Sequence, residues 1–139
     1  MQKYKFALIG CGRISYKHIN AINAIENAEL VAVCDVKEDR AKTKGEKNNV
    51  LWYTDYCKML ENEDIDTVNI LVESGKHAEV FKDIVKYKKH IIVEKPMALT
   101  LSDADDMIRI SDDAGIKLFV VKQNRFNAPV QLLERDMEI

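Results

Sequence analysis

Two glycines and an aspartate mark the place in this 139-residue chain where chemistry is easiest to foresee. The run Phe6-Ala7-Leu8-Ile9 is wholly apolar and leads into Gly10-Cys11-Gly12-Arg13-Ile14-Ser15. A strand ending in Gly-x-Gly turns sharply enough to bring backbone amides against a pyrophosphate, and the N-terminus of the helix that follows favours its charge. Ser15 stands where such fingerprints carry a third glycine or an alanine for close helix packing, and serine is small enough for that position. A second apolar run, Leu30-Val31-Ala32-Val33-Cys34, ends in Asp35, an acid placed to accept hydrogen bonds from ribose hydroxyls. The strand before, the amphipathic helix after and this acid favour a dinucleotide seat over an ordinary tight turn.

A second group lies in Glu94-Lys95-Pro96. Following a strand, Lys95 would stand near a nicotinamide ring if the pyrophosphate occupies the glycine turn. There an ammonium can hydrogen-bond a substrate hydroxyl or a developing carbonyl oxygen, and partial burial would bring its pKa toward neutrality. Lys95 is therefore the expected catalytic residue, the alternative being a solvated lysine paired with Glu94. Cys11, Cys34 and Cys57 are odd in number and lack metal-ligand spacing, so no disulfide framework and no metal site is expected. Cys11, inside the glycine turn, is read as a small residue filling a tight loop rather than as a redox sensor, which would need a cationic partner. His18 and His90 are read as structural.

These residues need elements to hold them. Apolar runs suited to buried parallel strands recur at Phe6–Ile9, Leu30–Cys34, Val50–Tyr53, Val68–Val72, Ile91–Val93 and Leu118–Val121. Helical patterns lie between them, at Arg13–Glu26, Glu38–Lys47, Asp55–Glu61, His77–Lys88 and Asp103–Ala114, the last opened by Ser102 as N-cap and closed by Gly115. The first helix should turn Ile14, His18, Ala21, Ile22 and Ile25 to the sheet. Alternating strands and helices with right-handed crossovers predict a doubly wound, mostly parallel α/β sheet of the Rossmann kind, in the order 3-2-1-4-5-6. Ligands then bind beyond the strand C-termini, at Gly10 to Arg13, Asp35 to Lys37, Val72 to His77, Glu94 to Pro96 and Lys122 to Asn127.

Composition narrows the field. A length of 139 residues suits one core. With 47% hydrophobic and 32% charged residues and a net charge of -2, nothing favours nucleic acid or an anionic membrane as partner. The start, Met1-Gln2-Lys3, leads straight into a strand without the apolar stretch of a signal peptide, so a cytoplasmic location is expected.

The glycine turn, Asp35, the Glu94-Lys95-Pro96 triplet and Ser74-Gly75-Lys76-His77 together resemble the N-terminal domain of the glucose-fructose oxidoreductase, inositol dehydrogenase and rhizopine catabolism (Gfo/Idh/MocA) family. The resemblance implies NAD rather than NADP as cofactor, with Asp35 opposing a 2'-phosphate and Lys37 and Arg40 softening that repulsion. It implies a cofactor site of Gly10, Gly12, Arg13, Ile14, Asp35, Val72, Ser74, His77, Glu94, Lys95 and Asn124, with Lys95 at the sugar. Val121-Lys122-Gln123-Asn124-Arg125-Phe126-Asn127 is similar to a branch that oxidises C3 of UDP-N-acetylglucosamine or UDP-N-acetylglucosaminuronate in lipopolysaccharide synthesis. That similarity makes Lys95, Lys122, Asn124 and Arg125 the expected substrate contacts, since cations suit a diphosphate or a uronate.

Two departures qualify the likeness. Glu73 replaces the proline that relatives often carry there and would place a carboxylate near the nicotinamide. Family members also continue into a sheet-based substrate domain. Here residues 1–123 are expected to form the cofactor domain and 124–139 the linker and opening of a second, substrate-binding domain absent from the chain, with Pro129 to Ile139 as its first helix. The expectation is a domain that binds NAD without turnover, as part of an NAD-dependent sugar dehydrogenase; a non-catalytic dinucleotide sensor is the alternative. Apolar residues from Phe126 to Leu133 further predict a homo-oligomer.

Overall fold

The computed structural model describes Gln2–Asp136. Six strands, β1 (Tyr4–Ile9), β2 (Ala28–Cys34), β3 (Leu51–Tyr53), β4 (Thr67–Ile70), β5 (His90–Val93) and β6 (Leu118–Val120), form one sheet in the order β3-β2-β1-β4-β5-β6. Every pairing is parallel, with Leu8 opposite both Val33 and Asn69 and with Asn69 opposite Ile92. This is the expected doubly wound order. Strands β1 and β4 are central, so Ala7, Leu8, Ile9 and all of β4 are buried, whereas Leu51 and Phe119 on the edge strands stay exposed.

Helices α1 (Ser15–Asn23), α2 (Glu38–Asn48), α3 (Tyr56–Asn62), α4 (His77–Ile84), α5 (Leu101–Ala114) and α6 (Ala128–Asp136) connect and flank the strands. Ile19 and Ile22 of α1 pack with Leu8, Leu30 and Val33 on one face of the sheet. Met59 of α3, Phe81 and Ile84 of α4 and Met107 of α5 cover Ala7, Ile9, Val68 and Ile91 on the other. The topology brings the C-terminal ends of all six strands to one rim, where a ligand meets loops and helix N-termini.

Local departures have local causes. Helix α1 is shorter than its apolar spacing predicts: Arg13 and Ile14 stay in the turn, and beyond Asn23 the chain makes tighter bonds such as Ile25 N–H to Ile22 O. Its buried residues are Ser15, Ile19 and Ile22, so Ala21 and Ile25 are exposed and the expected stripe is rotated. Helix α5 opens at Thr100, not Ser102. Thr100 has extended backbone, and its Oγ1 accepts from Asp103 N–H while donating to the Asp103 carboxylate, a reciprocal cap. Ser102 obeys the same residue preference but already lies inside the helix. Strand β4 ends at Ile70, leaving Val72 in the loop, and α4 passes into a 3-10 turn at Val85–Tyr87 ended by left-handed Lys88. The predicted final helix is present as α6, and its continuation through Met137 to Ile139 lies outside the described residues. Among the described residues, no helix is long and apolar enough to cross a membrane.

Candidate active site at the strand ends

The glycine turn is built from two glycines held for different reasons. Gly10 has φ +107°, and a Cβ there would lie 2.7 Å from the Leu71 carbonyl carbon and oxygen and 2.9 Å from Val72 N, so the fold itself requires glycine. A Cβ on Gly12 would meet nothing within 4 Å. That space opens toward the rim, and a side chain would fill the cradle that a pyrophosphate needs. Among the described residues, the amides of Gly12, Arg13 and Ile14 form no hydrogen bond, which leaves N–H groups for an anion at the α1 N-terminus. Ser15 is fully buried, and its hydroxyl donates to Gly12 O at 2.7 Å, which is how serine satisfies a position usually given to glycine.

Asp35 stands at the end of β2. Its Oδ2 accepts from Cys11 N–H at 2.8 Å and its Oδ1 from Lys37 N–H at 2.9 Å. One carboxylate thus ties the glycine turn to the neighbouring strand end and keeps a second lone pair on each oxygen for a ribose diol. Gly10, Gly12, Asp35, Val72, Arg40 and Tyr56 line a crevice of ≈ 430 Å³. These features fit the adenosine and pyrophosphate halves of a dinucleotide. Glu73 lines this crevice beside Asp35 and Lys76 and not the hollow of Lys95. Cys11 is buried, its Sγ donates to Cys34 O, and burial followed by the charge of Asp35 pushes its thiol up to about 12. It fills the loop and cannot act as a thiolate sensor.

At the C-terminus of β5 the chain turns through Glu94-Lys95-Pro96. Lys95, Lys122, Asn124 and Arg125 line one hollow of ≈ 630 Å³, so the four residues expected to meet a substrate are brought together. All four are exposed. The partial burial that would shift the Lys95 pKa is therefore not provided within these residues, and the alternative pairing with Glu94 is not formed either. Glu94 is 7% exposed and turned inward, its Oε1 2.8 Å from His18 Nε2 and its Oε2 accepting from Lys95 N–H at 3.1 Å. Ile14, His18, Glu94 and Asn124 line an adjoining hollow of ≈ 510 Å³ that shares Val121, Gln123 and Asn124 with the hollow of the lysine.

Three residues expected at the cofactor, His77, Ser74 and Arg13, line none of these hollows, although the Arg13 amide belongs to the glycine turn. His77 is 1% exposed, with Nδ1 2.7 Å from Pro96 O and Nε2 3.0 Å from Val72 O. It joins the loop after β4 to the loop after β5 and shapes the crevice from behind. Ser74 and Arg13 are exposed. Conversely, His18 lines the adjoining hollow and Asn69 holds it from within β4, although neither was expected at the site; an asparagine within a buried, otherwise largely apolar strand was the available signal. His90 is structural, its Nδ1 accepting from Lys117 N–H. Among the described residues no group of His, Cys, Asp or Glu is placed to hold a metal ion.

Sheet order, glycine turn and strand-end acid define a Rossmann dinucleotide-binding domain. The model of an oxidoreductase family with an NAD-binding Rossmann fold, GFO_IDH_MocA, matches residues 4–122, and the chain belongs to that family and binds NAD through this domain. Among curated relatives, D-apiose dehydrogenase of Paraburkholderia graminis is 33% identical over 97% of this chain and 36% of its own length. Myo-inositol 2-dehydrogenase of Thermotoga maritima is 33% identical over 96% of the chain and 40% of its own length. Among solved structures, the WlbA dehydrogenase of Bordetella pertussis, in complex with NADH and UDP-GlcNAcA, superposes with a TM-score of 0.95 at 36% identity, covering 99% of this chain and 42% of that one. The chain thus spans about two fifths of the length of the relatives it matches.

Proposed function

We propose that these residues are the cofactor domain of an NAD-dependent dehydrogenase that oxidises a sugar ring hydroxyl, and that the sugar is a UDP-linked N-acetylglucosaminuronate or its close relative, oxidised at C3 in lipopolysaccharide synthesis. One observation carries the reading: Lys95 shares a hollow with two further cations, Lys122 and Arg125, beside the end of the crevice that the cofactor occupies. A neutral polyol has no use for three cations, whereas a diphosphate or a uronate does. The likeness to a dehydrogenase solved with UDP-GlcNAcA supports it.

NAD, when bound, supplies the hydride acceptor. The amides of Gly12, Arg13 and Ile14 hold its pyrophosphate and Asp35 its ribose hydroxyls. As the hydride leaves for NAD, the hydroxyl proton passes to water or to a base outside these residues, while Lys95 donates a hydrogen bond to the oxygen, first as hydroxyl and then as carbonyl, with Lys122, Asn124 and Arg125 orienting the charged part of the substrate. Residues 1–123 form the cofactor domain and 124–139 lead into a second domain that completes the sugar site. The 139 residues alone bind NAD without turnover, because hydride transfer needs reacting carbons held about 3–3.5 Å apart. Exposed Phe126, Leu132 and Leu133 are covered by that domain or by a second copy, and the protein is a cytoplasmic homo-oligomer. Light scattering that finds only monomer at high concentration removes the oligomer.

The test uses the protein at its natural length, with NAD and either UDP-N-acetylglucosaminuronate or myo-inositol, following NADH absorbance. Reduction with the nucleotide sugar is expected, lowered about 10²- to 10⁴-fold by Lys95→Ala while NAD affinity stays within about twofold. Turnover of myo-inositol alone overturns the substrate, and NAD binding without reduction by any sugar favours a dinucleotide sensor.

A further inference from the structure

Asn69 is 2% exposed within β4, and its side chain lies on the α1 side of the sheet, where its Nδ2 donates to His18 Nδ1 at 3.0 Å. With Nδ1 accepting, the proton of the neutral ring is on Nε2, which donates to Glu94 Oε1 at 2.8 Å. Reversing the amide would set the Asn69 oxygen against Nδ1 and, in a neutral ring, leave the contact to Glu94 without a donor. In a neutral ring the orientation in which Asn69 Oδ1 is buried without a partner is therefore the one that keeps both histidine bonds, whereas a doubly protonated ring keeps them with the amide reversed; in either state Nε2 donates to Glu94. The last link is the second carboxylate oxygen of Glu94, which accepts the Lys95 amide.

A buried carboxylate is costly unless its hydrogen bonds are supplied. Neighbouring Glu and Lys at an exposed strand end would otherwise pair with each other, tying up the ammonium. We propose that His18 and Asn69 are positioning residues that draw Glu94 inward, so that the Lys95 amine is presented, unpaired, to the hollow of Lys122, Asn124 and Arg125. The inference rests on the reading of Lys95 as the residue that meets the substrate.

The test compares acetylation of Lys95 by acetic anhydride, measured by mass spectrometry with Lys122 as internal reference, in the protein at its natural length. His18→Leu releases Glu94 to pair with Lys95 and should slow labelling about threefold, the size of an exposed ion pair. His18→Gln, whose amide can accept from Asn69 and donate to Glu94, should restore the rate, and so should Glu94→Gln placed in the His18→Leu background. Labelling unchanged in His18→Leu, or as slow in His18→Gln, overturns the proposal. Nitrogen NMR of the unmodified protein gives a second check that needs no variant: a proton on His18 Nε2 is expected, and a ring protonated on Nδ1 alone sinks it. Hydride transfer retained by Lys95→Ala would instead remove the role of Lys95 and leave these readouts intact.

Discussion

The two ends of the rim are finished to different degrees. Around Gly10 and Asp35 each polar group has a partner inside the chain or faces the crevice, and the backbone is packed so closely that one methyl group has no room. Around Lys95, Lys122, Asn124 and Arg125 the side chains share a hollow but stand in solvent. The first end can bind on its own; the second holds charges whose strength in water is small until something excludes the water. A single domain can complete the recognition of a cofactor while supplying only one wall of a reaction site.

This contrast can be broken at the glycine turn. Gly10→Ala forces a Cβ against the backbone of Leu71 and Val72 at an unfavourable φ, and should destabilise the domain by roughly 3 kcal/mol or more, read from thermal melting. Asp35→Ala removes the acceptor of the ribose hydroxyls and of Cys11 N–H, and should weaken NAD about 10- to 100-fold by fluorescence titration, narrowing the preference over NADP. Gly12→Ala sharpens the comparison, since its Cβ meets no protein atom: the melting temperature should hold while NAD weakens about tenfold, each tenfold being about 1.4 kcal/mol. A melting temperature lowered as much as in Gly10→Ala would show that both glycines serve the fold alone.

A further expected effect is alkaline. Burial pushes the thiols of Cys11 and Cys34 from an ordinary 9.0 up to about 12. Groups raised in the folded state contribute stability that is full below the unfolded value and lost as pH rises through the folded one, so unfolding should become easier between pH 9.0 and about 12. Denaturant midpoints measured across that range should fall, and Cys34→Ala should flatten the slope.

What could be read from the chain beforehand follows from range. Gly10, Gly12 and Asp35 sit in a local strand-turn-helix pattern whose meaning is set by backbone geometry, and the sheet order follows from the handedness of crossovers. Lys95, Lys122, Asn124 and Arg125 were legible because strand ends gather on one rim. The pairing of His18 with Glu94 joins residues 76 apart, and that of Asn69 with His18 residues 51 apart, so neither leaves a mark on local spacing. Within α1, the rotated face shows the same limit: which residues turn inward depends on where the helix starts, and the turn withheld Arg13 and Ile14 from it. Thr100 and Ser102 both meet the capping preference, and only the extended backbone at Thr100 separates them.

The imidazole of His77 lies between carbonyls of two segments, Val72 on one side and Pro96 on the other, and a neutral ring donates to one of them while packing against the other. The wall that lines the adenosine crevice and the turn that carries the lysine thus share one buried anchor, a single side chain common to both halves of the rim.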